Sequence, residues 1–481
     1  MDKIFTKNIE HESAVKHVTG KAIYTDDISE PKNLLHAVIG YSNCSKGVIK
    51  KIDYKDVLSS EGVVDIITEK DIEGINDVGP IFKGDKIFTS KNIEYYGQPI
   101  FAVIAKTNNL AKKAALKVKI DLKISKPIVS IEEALKKKSF VLKPKHLTRG
   151  DIKDGFKKSD NILKGKLYSG GQDHFYLEGQ IAMTIPQEDN NFLVYSSTQH
   201  PSETQQIIGK VLKQNYNSIH VIVRRIGGGF GGKETQSFLF AAITSIAAKK
   251  LSKPVKLRVD RDDDMIMTGK RHDFLFDYEV GFNNSGEILA LKIMMASRCG
   301  ISPDLSGAIN DRAIYHIDNA YYIPNIEINS YRCKTNTVSN TAFRGFGGPQ
   351  GMFCIENIIE NIAQKLKREA SEIRKINFYK DKIKNTTHYG MRITDNVIED
   401  IFNTKIDDLE EPFKTILSYK SDQFLLPTQV IDGEIVIMIN CTPKKMMPEF
   451  EIQNILISNQ LKVYSDKELR NLRQDSVIEE K

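Results

Sequence analysis

The sequence predicts an α+β fold, and three stretches carry that expectation. Ile100 to Ala105 is an apolar run of strand length, Asn109 to Lys117 is Ala/Lys-rich and favours helix, and Val118 to Ile124 alternates as a half-buried strand does. Phe274 to Phe282 and Glu287 to Met295 flank Asn283-Asn284-Ser285-Gly286, the pattern of a β-hairpin. Gln236 to Lys250 is apolar nearly all round and reads as a buried helix. Ile355, Ile358, Ile359, Ile362 and Leu366 repeat at helical spacing and mark one amphipathic helix more.

Composition bounds the rest. With 481 residues, 40% hydrophobic and 27% charged, the chain has material for about three domains with sizeable cores. The 69 basic and 62 acidic residues are interspersed, so the net charge of +7 argues for solubility rather than for a nucleic-acid-binding face. Five cysteines stand far apart without a CxxC pair, which predicts neither a zinc site nor an iron–sulfur cluster and fits a reducing, cytoplasmic setting. No secretory leader and no apolar stretch of membrane-spanning length is seen. The expected organisation is a small α+β domain at 1–126, a lysine-rich linker at 127–154, a larger strand-dominated domain at 155–405, and a tail of different character at 406–481. Within that tail Glu434 to Asn440 is strand-like.

Two glycine-rich segments concentrate the chemistry. Ile226-Gly227-Gly228-Gly229-Phe230-Gly231-Gly232-Lys233-Glu234 lies between a strand and the buried helix. So much glycine packs nothing and costs backbone entropy, so it makes sense where backbone approaches a ligand closely. Gly227 to Lys233 also fits part of a phosphate-binding loop, but position 234 then requires Ser or Thr for magnesium. Glu234 would instead repel phosphate and suits a ligand bearing N–H donors. Asn340-Thr341-Ala342-Phe343-Arg344-Gly345-Phe346-Gly347-Gly348-Pro349-Gln350 is the second segment. Its guanidinium can pair with a carbonyl or enolate oxygen, and phenylalanine faces can sandwich a flat heterocycle. Gln199, in Ser196-Ser197-Thr198-Gln199-His200-Pro201, follows a strand and could hydrogen-bond an oxo ligand. His174, His200 and His272 show no metal-ligand spacing and read as structural.

Together and in this order, these motifs resemble the molybdenum hydroxylases of the xanthine dehydrogenase type. Supporting matches are Gly20 to Asp27, Tyr96-Gly97-Gln98-Pro99, His174 to Glu178 and Asn377-Phe378-Tyr379, so the resemblance covers about Val15 to Lys380. It implies an α/β-hammerhead domain followed by the first molybdopterin-binding domain. It also implies a molybdenum–molybdopterin cofactor held through the pterin, with no protein side chain on the metal. The resemblance places Gln199 by the metal's oxo group and the backbone of Phe230 and Gly231 beside metal and pterin. Glu234 and Arg344 would grip a purine from opposite ends and act in catalysis, and Phe378 would clamp its ring. FAD and [2Fe-2S] clusters would sit on partner subunits, in a dimer of heteromers.

The family's general base is a glutamate in a Gly-Glu-Pro-Pro context, and its second cofactor domain carries a GQG-like motif. Neither occurs in this sequence. The second molybdopterin-binding domain is therefore expected to be missing, and the chain inactive alone. A truncated or frameshifted, non-catalytic remnant and one half of a split enzyme both remain open.

Overall fold

The computed structural model describes residues 11–380, 382–403, 428–431 and 434–437. The first 126 residues contribute strands β1 (Leu35–Tyr41), β2 (Gly47–Asp53), β3 (Val63–Ile67), β4 (Asn92–Ile93), β5 (Pro99–Ala105) and β6 (Lys119–Ile124). Then come β7 (Phe140–Arg149), β8 (Asn161–Ser169), β9 (Ile181–Pro186), β10 (Phe192–Ser196), β11 (Ile219–Ile222), β12 (Val255–Arg258), β13 (Phe274–Phe282), β14 (Ile288–Gly300) and β15 (Ile326–Lys334).

These strands form three sheets. One has seven strands in the order β11-β10-β9-β12-β1-β5-β3; a second has the order β7-β15-β14-β13-β8; the third is β4-β2-β6. Every residue of β5 is buried, as its unbroken apolar run requires. The helix Asn108–Ala115 follows it, with Thr107 accepting a cap hydrogen bond from the Leu110 amide. The hairpin forms with β13 against β14, from Phe274 opposite Ser297 to Phe282 opposite Ile288, and β14 runs on to Gly300. The buried helix spans Ser237–Leu251 and packs over the seven-stranded sheet. The amphipathic helix spans Gly348–Leu366 with Ile355, Ile358, Ile359 and Ile362 inward.

One expectation about organisation is corrected. The stretch 127–154 is not a bare linker: it holds the helix Ile131–Lys136, capped by Ser130, and β7, which pairs with β15. Its lysines point outward from a sheet-edge strand, which is why the composition reads as unstructured. The N-terminal region keeps the sheet β4-β2-β6 to itself, but its other strands join the seven-stranded sheet, where β1 pairs in parallel with β12, Leu35 opposite Val255.

Residues 1–396 form one compact unit and 397–481 a second. Within the second unit the described residues form the helix Ile398–Asn403 and an antiparallel pair, Thr428–Ile431 with Glu434–Ile437. The strand-like run at Glu434 to Asn440 is thus a hairpin arm through Ile437, and its last three positions lie outside the described residues. No helix among the described residues is long and apolar enough to cross a membrane.

Candidate functional site

The two glycine segments meet through their backbones. The Arg344 amide donates to Phe230 O at 2.9 Å, and the Thr235 and Thr341 hydroxyls stand 3.1 Å apart. Gly231 has φ +98°, and a Cβ there would stand 2.7 Å from the carbonyl of Ala342. Glycine is therefore required twice over, by its left-handed backbone and by the close approach of the facing loop. Phe230 also has positive φ, +52°, an uncommon state for a non-glycine residue. Its ring is left 45% exposed.

Gln199 is fixed by the first loop. Its Oε1 accepts from the Gly231 amide at 2.9 Å and the Lys233 amide at 3.3 Å, and its own amide donates to Lys233 O at 2.8 Å. With the side-chain oxygen engaged twice, the exposed Gln199 offers its Nε2 donor outward. That is the polarity an oxo acceptor needs. A cleft of about 680 Å³ runs beside this loop, walled in part by Tyr24, Phe175, Glu178, Gly227, Gly228 and Phe230. Its size suits a small-molecule group. Gln199, Gly231, Glu234 and Arg344 are outside its walls.

Glu234 is half-buried, and burial raises its carboxyl above the ordinary range. His200 opposes that rise and Glu203 adds to it, while His200 Nδ1 and Glu203 Oε2 pair at 2.9 Å. Arg344 is exposed, and its carbonyl accepts from Arg271 at 2.9 Å. Phe378, which the resemblance gave a ring-clamping role, lies at the end of a helix. It is 5% exposed, and its ring stacks on Tyr321 at 6.0 Å and 3°. It closes the helix Ala370–Asn377 and bridges to Tyr321.

Sequence reasoning missed what holds the first loop. Lys233 is fully buried; its Nζ donates to Glu178 O at 2.6 Å and Ser197 Oγ at 2.7 Å, and lies 4.5 Å from the centre of the Tyr176 ring. Burial lowers its ammonium to about 8, against the pull of Glu178. Glu178 in turn accepts from Ser197 Oγ, the Gly227 amide and the Thr25 amide. Both residues were visible as motif letters, but only packing reveals that they are a buried ion pair. The second loop has a different support. Phe343 lies between His174, stacked at 4.5 Å, and Arg271, whose guanidinium is 3.8 Å from the ring centre. His174 Nε2 bonds Ala342 O at 2.6 Å and burial lowers its pKa to about 4; His272 is buried, bonds Ser306, and is lowered to about 3. Both are structural, and no cluster of three metal-ligating side chains occurs among the described residues.

The comparisons agree with this architecture. Residues 133–378 match the molybdopterin cofactor-binding domain, and residues 19–126 match the a/b hammerhead domain of aldehyde oxidase and xanthine dehydrogenase. The chain belongs to the molybdopterin cofactor-binding family. Its cofactor is accordingly molybdenum–molybdopterin. Xanthine dehydrogenase of Dictyostelium discoideum is 40% identical over 398 residues, 83% of this chain and 29% of that protein. Xanthine dehydrogenase of Oryza sativa subsp. japonica is 42% identical over 397 residues, again 29% of that protein. The chain thus spans under a third of the curated relatives it matches. The aldehyde oxidoreductase of Desulfovibrio gigas superposes with a TM-score of 0.77 at 24% identity, covering 89% of this chain and 51% of that one. Quinoline 2-oxidoreductase from Pseudomonas putida 86 gives 0.75 at 20%, covering 82% and 53%. These two likenesses show the fold: hammerhead first, cofactor-binding domain second.

Proposed function

We propose that this chain is the cofactor-facing and purine-holding part of a xanthine dehydrogenase-type oxidoreductase. The observation that carries the reading is Gln199, with its oxygen consumed by two loop amides and its nitrogen offered outward beside the joined glycine loops. When bound, the molybdenum cofactor supplies oxygen insertion from water and takes up the electron pair. The backbone of Phe230 and Gly231 would line its seat, and the Gln199 Nε2 would be a donor toward it.

Glu234 and Arg344 are the catalytic pair of this reading and grip hypoxanthine or xanthine from two loops. Glu234 accepts from ring N–H groups and orients the ring. Arg344 stabilises negative charge developing on the purine oxygen. Keeping both favours a purine over an aldehyde. The proton acceptor is supplied by a Gly-Glu-Pro-Pro segment that the sequence does not contain, and electrons leave through FAD- and iron–sulfur-bearing partners in a cytoplasmic dimer of heteromers. A polypeptide carrying the remaining cofactor domain completes the site.

The test uses residues 1–481, with molybdenum content, xanthine binding and xanthine turnover measured separately. Binding without turnover is expected. Glu234→Gln and Arg344→Met should each weaken xanthine binding by roughly 10- to 100-fold, the worth of one charge-assisted hydrogen bond. Full turnover without a partner, or unchanged affinity in both variants, would overturn the reading.

A further inference from the structure

A second cavity, of about 40 Å³, is walled in part by Asp85, Tyr95, Thr235, Thr268, Asp304 and Ser339. Roughly 10–15 Å³ of such space admits one water-sized group, so a small ion with a water or two fits. Asp304 is 2% exposed, and among the described residues no donor reaches its Oδ2. The Thr235 and Thr341 hydroxyls donate hydrogen bonds to the same carboxylate. Asp85 accepts from Ser302 Oγ at 2.7 Å on each oxygen and from Ser339 Oγ at 3.0 Å.

The cavity wall combines apolar side chains, among them Leu239, Phe240 and Met267, with two carboxylates, and it is short of positive charge. Among the described residues neither aspartate forms an ion pair; Asp77 and Glu94 add negative charge near Asp85, and Lys86, the one cation in the wall, is itself exposed. Burial pushes both carboxyls up, Asp85 to about 6 and Asp304 to about 7, and the charge of Asp85 adds to the rise at Asp304. Two carboxylates held near one another and largely away from water are costly unless something positive lies with them. Hydroxyls can turn their lone pairs inward, and carboxylate plus hydroxyl oxygen is the donor set of a hard cation.

We infer that this cavity binds one divalent cation of the calcium or magnesium class, with Asp85 and Asp304 as its carboxylate ligands. The ion joins three stretches of chain: the segment before β5, the turn after β14, and the two glycine loops through Thr235 and Thr341. It serves to hold the loops that carry Glu234 and Arg344, and it stands independently of which substrate those loops receive.

Chelator-treated full chain is dialysed against calcium or magnesium, and the retained metal is measured by mass spectrometry alongside thermal melting. About one ion per chain is expected, with a melting temperature raised by about 5 °C at a hundredfold excess over Kd. Asp304→Asn should lose both the ion and the shift. No retained metal and no shift in the wild-type chain overturns the inference, as does a response to sodium or potassium alone. An Asp304→Asn protein that melts above the wild type, with neither responding to divalent ions, identifies a shared proton instead and also overturns it. Should Asp304→Asn fail to fold, Asp85→Asn and the wild-type titration decide the matter by the same criteria.

Discussion

The two glycine loops have similar composition but are anchored by different physics. The loop of Phe230 and Glu234 rests on a buried ion pair, Lys233 with Glu178, whose side chains are 0% and 7% exposed at 3.5 Å. The loop of Arg344 rests on borrowed contacts: its amide on Phe230 O, its carbonyl on Arg271, its Phe343 between His174 and Arg271. One is fixed from beneath, the other is leaned against its neighbours. Damage to the first should therefore disorder both, whereas damage to the second should stay local.

Lys233→Met gives that comparison its hardest test. It leaves Glu178 buried without a cation, and breaking one partner of a buried pair typically costs about 3–5 kcal/mol. Chemical denaturation should show that loss, and proteolysis should open both loops. A variant as stable as the wild type would show that the pair is not an anchor. Gly231→Ala comes next. A Cβ at φ +98° and 2.7 Å from the Ala342 carbonyl brings strain and overpacking together, about 2–4 kcal/mol. Because Gly231 also gives its amide to Gln199, molybdenum retention should fall with stability.

How much of this was legible in the sequence follows from what each element rests on. Periodicity is local, so the β5 run, the hairpin at Asn283 to Gly286 and the helix after Glu234 were all readable. The pairing of β1 with β12 joins positions more than two hundred residues apart, and nothing local announces it. Lysine at the exposed positions of β7 disguised an edge strand as a linker. At the candidate site, motif order pointed to Gln199, Phe230 and Gly231, and the Gly231 amide donates to Gln199 Oε1. Phe378 was assigned from a motif alone, and its packing against Tyr321 was not legible there. Lys233 and Glu178 escaped because a lysine beside glycines reads as a surface charge until its neighbours are known.

Arg271→Ala probes the second loop alone. It removes the cation over Phe343 and the hydrogen bond to Arg344 O, worth about 1–2 kcal/mol together. Proteolysis near Arg344 should quicken while the segment around Gly229 stays protected. Cleavage at both loops at equal rates would mean that they move as one body and that the distinction between anchors is wrong.

The smallest effect concerns acid. His174 and His272 are held neutral by burial, with pKa lowered to about 4 and about 3. In the unfolded chain each titrates near the ordinary 6.5, so below that pH the unfolded state binds more protons than the folded one. Stability is therefore full above about 6.5 and declines as pH falls toward 4, by about 1 kcal/mol for the pair between pH 7 and pH 6. Since His174 lies under Phe343 and bonds Ala342 O, protonating it loosens the Arg344 loop first. His174→Gln keeps a donor for Ala342 O but no titrating group. Its denaturation midpoint should fall less steeply between pH 7 and pH 5 than that of the wild type, and equal slopes would assign the acid sensitivity elsewhere.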